Sequence, residues 1–517
     1  MSFTEDYTFW RLADFFIKTK QYRILQVSKD QKELWLEKTE DKSAQIIRLF
    51  QYNLDWSNWL QRDIELTAAN GDRIRKKLLK RQLKVMNIYV TPFPPVDDYE
   101  PIIAKPYQGP KGKVEVSSLI IAQSNIVAEH EKIARLFNET VSFTIQDEYT
   151  SEDVDRMKNS ALTYALNKAK EEKSIFEFGK PFLTYVFIFI QIAMFLWLEM
   201  NGGSTNTSTL IKYGAKFNPL ILEGEWWRFF TPIVLHIGLL HLLMNTIALF
   251  YLGPLVERLY GSGRFLLIYL FAGFSGSLAS FIFSPHLSAG ASGAIFGCFG
   301  ALLYFGVIHP RLFFRTMGMN ILIVIGINLV FGFTIPGIDN AGHIGGLAGG
   351  FAAAGVVHFP RKRRLLIQLL FTLGVAAIVS WSLSYGYGDT TKMVDRQSIL
   401  VLAQQHIQEE RYDDAYRLLT SYLEEENESE EVLFLLSFTE IKLGNLDEAR
   451  SHLHKVIELD PEFHEAQYNL ALVYLEQSNP DQALIYSKNA IQLEPDNKEY
   501  QDLLNRINGF LGEADGA

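Results

Sequence analysis

Between Pro181 and Tyr385 the chain carries 16 charged residues in 205, against 21% for the whole chain. A polar side chain inside the long apolar runs of this region is costly and asks for a role or a partner. The set is small. His236, His241 and Asn245 lie in one run, Ser292 in Gly290-Ala291-Ser292-Gly293-Ala294-Ile295-Phe296-Gly297, and His343 in Ala341-Gly342-His343-Ile344-Gly345-Gly346. A serine hydroxyl within hydrogen-bond reach of an imidazole is an activated nucleophile. An amide or ring N–H aimed at the same point stabilises an oxyanion. Taken singly, a serine among glycines is a packing residue, a histidine at a helix start is a satisfied interfacial group, and an asparagine is glue between helices. Together they have the composition of an acyl-transfer site.

The elements that must position these residues are membrane helices. Seven apolar runs approach the roughly 20 residues needed to span a bilayer: Pro181–Met200, Phe229–Leu252, Phe265–Phe283, Ser292–Ile308, Met317–Ile335, Ala341–Phe359 and Leu365–Tyr385. The fourth and sixth are short and rich in Gly and Ala, as expected inside a bundle. Basic residues mark cytoplasmic loops. They precede the first run (Lys168, Lys170, Lys173) and follow the second (Arg258, Arg264), fourth (Arg311, Arg315) and sixth (Arg361, Lys362, Arg363, Arg364). The N-terminus is therefore expected in the cytoplasm and the C-terminus outside. The second, fourth and sixth helices then all begin at the outer face, which brings Ser292 and His343 to similar depth. His241 and Asn245, four apart, share one helix face, deeper in their helix by these boundaries. His236 is expected to face the loop or water. Gly293 and Gly297 on one helix, and Gly342, Gly346 and Gly350 on another, form stripes that let two backbones touch.

The flanks are soluble in character. Residues 1–175 mix short β-rich runs (Tyr22–Val27, Glu33–Glu37, Gln45–Phe50, Met86–Val90, Lys113–Ile121) with helical patterns around Trp56–Leu79 and Glu152–Lys173, predicting an α/β or α+β domain. The acidic loop residues Asp97, Asp98 and Glu100 read as a solvated loop rather than a cation site. Downstream, Ala415, Ala449 and Ala483 are spaced by 34 residues, as are Ala403, Ser437 and Ala471. With the turn Leu443-Gly444-Asn445-Leu446-Asp447-Glu448-Ala449, this resembles tetratricopeptide repeats, a binding or assembly surface of paired helices. One cysteine, Cys298, excludes an intramolecular disulfide framework, and a net charge of −10 argues against a nucleic-acid binder. That charge divides into −17 from Met393 onward and +7 before it.

The ordered pattern His236-x4-His241-x3-Asn245, Gly290-x-Ser292-Gly293 and Gly342-His343-x2-Gly346 resembles the rhomboid intramembrane serine proteases, as do Glu225 and Trp227-Arg228 in the loop before it. The resemblance spans about Pro181–Phe359. One position departs from the family, which often has Tyr four residues after the serine; here it is Phe296. The resemblance implies a Ser292–His343 dyad without an acidic third member, with His343 oriented by packing on Phe296. It implies oxyanion donors from Asn245, His241 and the Ser292 backbone N–H, with Gly290, Gly293 and Gly346 supplying close approach. Glu225 and Arg228 would pair to hold the outer loop. Substrates would be transmembrane proteins whose helices unwind near their outer ends.

The expected architecture is a polytopic α-helical membrane protein. A rhomboid-like six-helix core plus a seventh helix (176–388) lies between the N-terminal α/β domain (1–175) and an extracytoplasmic α-solenoid of tetratricopeptide repeats (393–500) with a tail (501–517). The implied setting is the plasma membrane of a bacterium. No cofactor, metal or nucleic acid is implied; the partners are substrates, the bilayer and proteins bound by the flanking domains. Three rival readings are weighed. A catalytically inactive rhomboid-like scaffold is disfavoured by the presence of both Ser292 and His343. A transporter is disfavoured because no inverted repeat is visible and membrane-buried carboxylates are absent. A mere anchor would need one span.

Overall fold

Stretches rich in β-branched and aromatic residues pair into one mixed sheet in the N-terminal part of the computed structural model. The structure describes residues 3–78, 80–109, 112–139, 149–335, 337–360, 364–388, 396–425 and 429–514. Of the positions singled out above, Leu79, Arg361, Lys362, Arg363 and Met393 lie outside them.

The sheet contains β1 (Arg23–Val27), β2 (Glu33–Glu37), β3 (Ile46–Gln51), β4 (Leu83–Val90), β5 (Tyr107–Gln108) and β6 (Val114–Ile121), in the order β1-β2-β3-β4-β6-β5. The central β3, β4 and β6 run parallel, so both faces need cover. On one face lies α2 (Ser57–Lys77), whose Leu60, Ile64 and Ala68 pack with Val85, Tyr89 and Val116. The short α3 (Glu100–Ile103) packs at the same face through Ile102 and Ile103. On the other lie α1 (Phe3–Asp14), α4 (Ile126–Phe137) and α5 (Ser151–Phe176), which bury Phe9, Ile133, Phe137 and Ala161 against Leu36, Leu49 and Ile88. Buried Arg48 is paired with Asp63 at 2.6 Å, and the Tyr89 hydroxyl donates to the same carboxylate. This compact unit is Met1–Ser174.

The second unit, Ile175–Ala517, holds both the apolar helices and the repeats. The apolar runs form α6 (Leu183–Met200), α9 (Gly238–Tyr260), α10 (Ser262–Phe283), α11 (Ser292–Ile308), α13 (Gly318–Thr334), α14 (Asn340–Val357) and α15 (Leu365–Gly388). The loop after α6 contains α7 (Thr207–Lys212) and α8 (Asn218–Leu222), and α12 (Pro310–Thr316) precedes α13. Among the described residues, α6, α9, α10 and α15 are each long and apolar enough to cross a membrane, and α12 with α13, bent by 73°, would be a fifth span. Helix α11 has 17 residues, 12 of them buried, and glycine-rich α14 is packed against both α10 and α11. These two are interior helices, whereas α15 exposes Leu366, Leu370, Leu373 and Trp381.

Three expectations change. The second span starts at Gly238 rather than Phe229, because Trp226–Phe229 and Thr231–Val234 form 3-10 turns. Pro232 opens the second of these turns and Gly238 has φ +76°, so the backbone turns before the helix begins. A carboxylate is buried after all: Glu257, fully enclosed near the end of α9. It accepts from the backbone N–H groups of Phe182, Leu183 and Thr184 at 2.9–3.0 Å, and from the hydroxyls of Thr184 and Ser262. It thus caps the otherwise unpaired amides of α6. Residues 501–517, expected as a tail, begin inside a helix.

That helix is α22 (Lys498–Ala514), which closes the repeat stack with Leu503 and Ile507 against Ala471 and Ala483. Before it come α16 (Arg396–Gln408), α17 (Tyr412–Glu425), α18 (Glu430–Leu443), α19 (Leu446–Leu459), α20 (His464–Glu476) and α21 (Pro480–Leu493). All six small residues of the 34-residue pattern are fully buried, as close helix–helix contact requires.

Candidate active site

Backbone contact between helices sets the site. A Cβ on Gly276 of α10 would lie 2.8 Å from the Gly342 carbonyl oxygen and 3.3 Å from the Gly293 Cα. A Cβ on Gly346 would collide with the backbone of Gly293. Helices α10, α11 and α14 therefore meet main chain to main chain, and only glycine permits it. Ser292 and His343 are the immediate neighbours of Gly293 and Gly342. They sit at position 1 of α11 and position 4 of α14.

The ring of Phe296 then locates His343. Phe296 is one turn after Ser292, on the same face of α11. The imidazole of His343 lies flat on it, with centroids 4.3 Å apart and planes 10° apart. No carboxylate hydrogen-bonds this imidazole among the described residues, and His343 Nδ1 has no partner. Asp339 instead caps α14, accepting from the Gly342 N–H at 2.8 Å. No hydrogen bond joins the Ser292 hydroxyl to His343 among the described residues. Such contacts are often long in unliganded sites and tighten with substrate.

The later start of α9 moves His241 to its fourth residue, level with the first turns of α11 and α14. Its ring packs over Gly290, where a Cβ would fall 2.7 Å from His241 Cε1 and 2.9 Å from Nε2. Gly290 also has φ +148°, a conformation that side-chain-bearing residues rarely adopt. Its N–H donates to the Pro232 carbonyl at 3.0 Å. Gly290, two residues before Ser292, thus makes room for the His241 ring. Asn245, buried, donates one amide N–H to the His241 carbonyl at 3.0 Å. His236 is fully buried and edge-on to His241, 5.4 Å between centroids, and so does not face water. Its polar ring is enclosed because the 3-10 turns fold it beneath the start of α9.

The loop after α6 is fastened to this core. Arg228 pairs with Glu225 at 2.5 Å and donates to the Ile211 and Ala215 carbonyls at 2.8 and 2.9 Å. Burial pulls its pKa below the usual guanidinium range, with Glu225 opposing. Trp226 and Trp227 are exposed. Lys216, missed in the sequence because a lysine normally reads as surface, is fully buried and donates to the carbonyls of Ser284 and His286. Its backbone exchanges two hydrogen bonds with Ser288, of 2.8 and 3.0 Å.

The chain is similar to known proteins along most of its length. The Rhomboid domain family matches residues 223–360, and the Tetratricopeptide repeat family matches 406–456 and 441–507. Over 455 residues the chain is 40% identical to Rhomboid protease GluP of Bacillus subtilis (strain 168), covering 86% of this chain and 87% of that protein. The chain belongs to the rhomboid protease family. Other rhomboid relatives match a smaller share of the chain. RHOMBOID-like protein 1 of Arabidopsis thaliana is 37% identical over 147 residues, 28% of this chain and 38% of its own. RHOMBOID-like protein 7 of the same plant is 39% identical over 151 residues, 28% of this chain and 48% of its own. The protein is thus a rhomboid-type intramembrane protease acting on membrane proteins, with repeats of a kind that mediates protein interactions.

Proposed function

We propose that this rhomboid protease cleaves transmembrane substrates with a Ser292–His343 dyad. The observation that carries the reading is the stacking of His343 on Phe296, one helical turn from Ser292. It holds the imidazole over the face of α11 that presents the hydroxyl. Ser292 attacks the scissile carbonyl while His343 accepts its proton and returns it to the leaving amine. The developing oxyanion is met by the Ser292 backbone N–H, one of the amides left unpaired at a helix start. The Asn245 amide and the His241 ring are the further donors. With no carboxylate to orient the base, packing on Phe296 does so.

The site opens to the outer face in this reading. The basic loops place residues 1–175 in the cytoplasm, and the acidic repeats lie outside the plasma membrane of a bacterial cell. A substrate helix keeps its amides internally bonded in lipid and must unwind before attack, so helix-weakening residues near the outer end mark substrates. The membrane body would run through 176–388 with seven crossings.

Labelling with a serine-reactive fluorophosphonate tests the dyad. The folded protein should label at Ser292, and Ser292→Ala and His343→Ala should each abolish labelling and cleavage of a transmembrane reporter. A folded wild type that does not label would move the protein to the inactive scaffold class.

A further inference from the structure

The first repeat has no repeat before it, yet its packing residue is buried. Leu402, Leu436 and Leu470 are related by the 34-residue period. Leu470 packs on Leu433, Leu453 and Val456 of the preceding repeat. Leu436 packs on Ile399 and Leu419 of the preceding repeat. Leu402 makes the equivalent contact with Ile211, Phe217 and Leu220, which belong to the loop between the first two spans. All three leucines are at most 2% exposed. A repeat stack needs its ends covered. At its far end α22 does this; at its near end the α7–α8 loop stands where a repeat would stand.

The same loop leads to the catalytic turn. Leu287 is packed into the Leu402 cluster. The next residue, Ser288, is bound by two backbone hydrogen bonds to Lys216. Two residues further is Gly290, and two more bring the chain to Ser292. Ser398 of α16 also reaches the Pro285 carbonyl, at 3.5 Å. A contact on the first repeat helix is thus continuous with the strand of chain that aims the nucleophile.

We propose that Leu402 is a positioning residue for the protease reaction: the α7–α8 loop caps the repeat stack, and through Leu287 and Ser288 this cap holds the Gly290–Ser292 turn in its reactive geometry. The repeats are then a structural arm of the active site, and a protein bound to them acts on the rate of cleavage. This rests on Ser292 being the nucleophile.

The test uses the full-length protein in lipid vesicles, with the fluorophosphonate labelling rate of Ser292 and amide hydrogen exchange as readouts. Leu402→Asp should raise exchange across 207–222 and slow labelling by about tenfold, within the range that small misplacements of reacting groups produce. Leu402→Met should restore both. Leu470→Asp, the same change deeper in the stack, should raise exchange within the repeats and leave labelling within about twofold of wild type, as expected for distant sites. Slowing by Leu470→Asp equal to that by Leu402→Asp would overturn the proposal, since any damage to the repeats would then suffice. Unchanged exchange in 207–222 for Leu402→Asp would overturn the cap, and raised exchange with wild-type labelling would overturn its catalytic role. Wild type that does not label at Ser292 would instead sink the dyad, and the exchange comparison would still decide the cap.

Discussion

The imidazole of His343 lies 4.3 Å from the ring of Phe296 and parallel to it within 10°. In the proposed dyad this stack takes the place of the carboxylate that orients a catalytic histidine in a triad. An aromatic pair of this kind contributes roughly 0.5–1.5 kcal/mol beyond burial. Phe296→Leu should therefore reduce single-turnover cleavage by about two- to tenfold, whereas Phe296→Tyr should stay near wild type, because the ring and not a hydroxyl does the orienting. Equal rates for Phe296→Leu and wild type would remove the stack from the mechanism.

Asn245 spends one amide N–H on the His241 carbonyl and has a second to offer an oxyanion. Asn245→Ala should lower turnover by about 10²–10³, the usual effect of deleting such a donor. Reporter cleavage under saturating substrate checks this; unchanged turnover would leave the oxyanion to the backbone and His241.

Gly290 is forbidden a side chain twice, by its φ of +148° and by the His241 ring. Gly290→Ala should destabilise the protein by about 1–3 kcal/mol through overpacking. Part of that loss should vanish in a His241→Ala background, since the ring is then gone. Thermal unfolding of the four proteins of this cycle measures the coupling; strict additivity would mean that the two residues do not touch.

Acid should loosen the N-terminal domain through His130 of α4. Burial pushes its pKa down to about 4 from an ordinary 6.5, so the fold favours the neutral ring. The unfolded chain binds the extra proton first. Stability from this residue is complete above pH 6.5 and is lost as the pH falls from 6.5 towards 4. Hydrogen exchange of α4 across that window should show the decline, and His130→Phe should flatten it. A decline that persists unchanged in His130→Phe would assign it elsewhere.

Protease added to intact cells should remove epitopes placed after residue 396 and spare those before residue 175, if the acidic repeats lie outside. Repeats that survive intact until the membrane is opened would reverse the orientation.

Much of this site could be read from residue order alone. Ser292 and His343 announced themselves because a hydroxyl and an imidazole in glycine-rich apolar helices are otherwise costly. The repeats announced themselves through a period that only packing explains, and the strands of the N-terminal sheet through their β-branched runs. The beginning of α9 did not, because Phe229 to Ile237 is as apolar as the helix itself, and 3-10 turns leave no periodic mark. That displaced His241 by about two and a half helical turns in depth and left His236 facing water on paper. Glu257 and Lys216 were invisible for a different reason. Charge in a sequence reads as surface, and only the three-dimensional fold shows five donors converging on one carboxylate. The α7–α8 cap was equally hidden, since the loop bears no trace of the 34-residue pattern.

Glu257 also implies an order of events during biosynthesis. The leading amides of α6 are made first, and the acceptor that satisfies them follows 73–75 residues later. Until α9 is complete, the leading amides of α6 lack this acceptor. The pair α6 and α9 should therefore leave the insertion machinery together, as a hairpin locked at its base, and Glu257→Leu should show itself as failed membrane integration before any enzyme can be assayed.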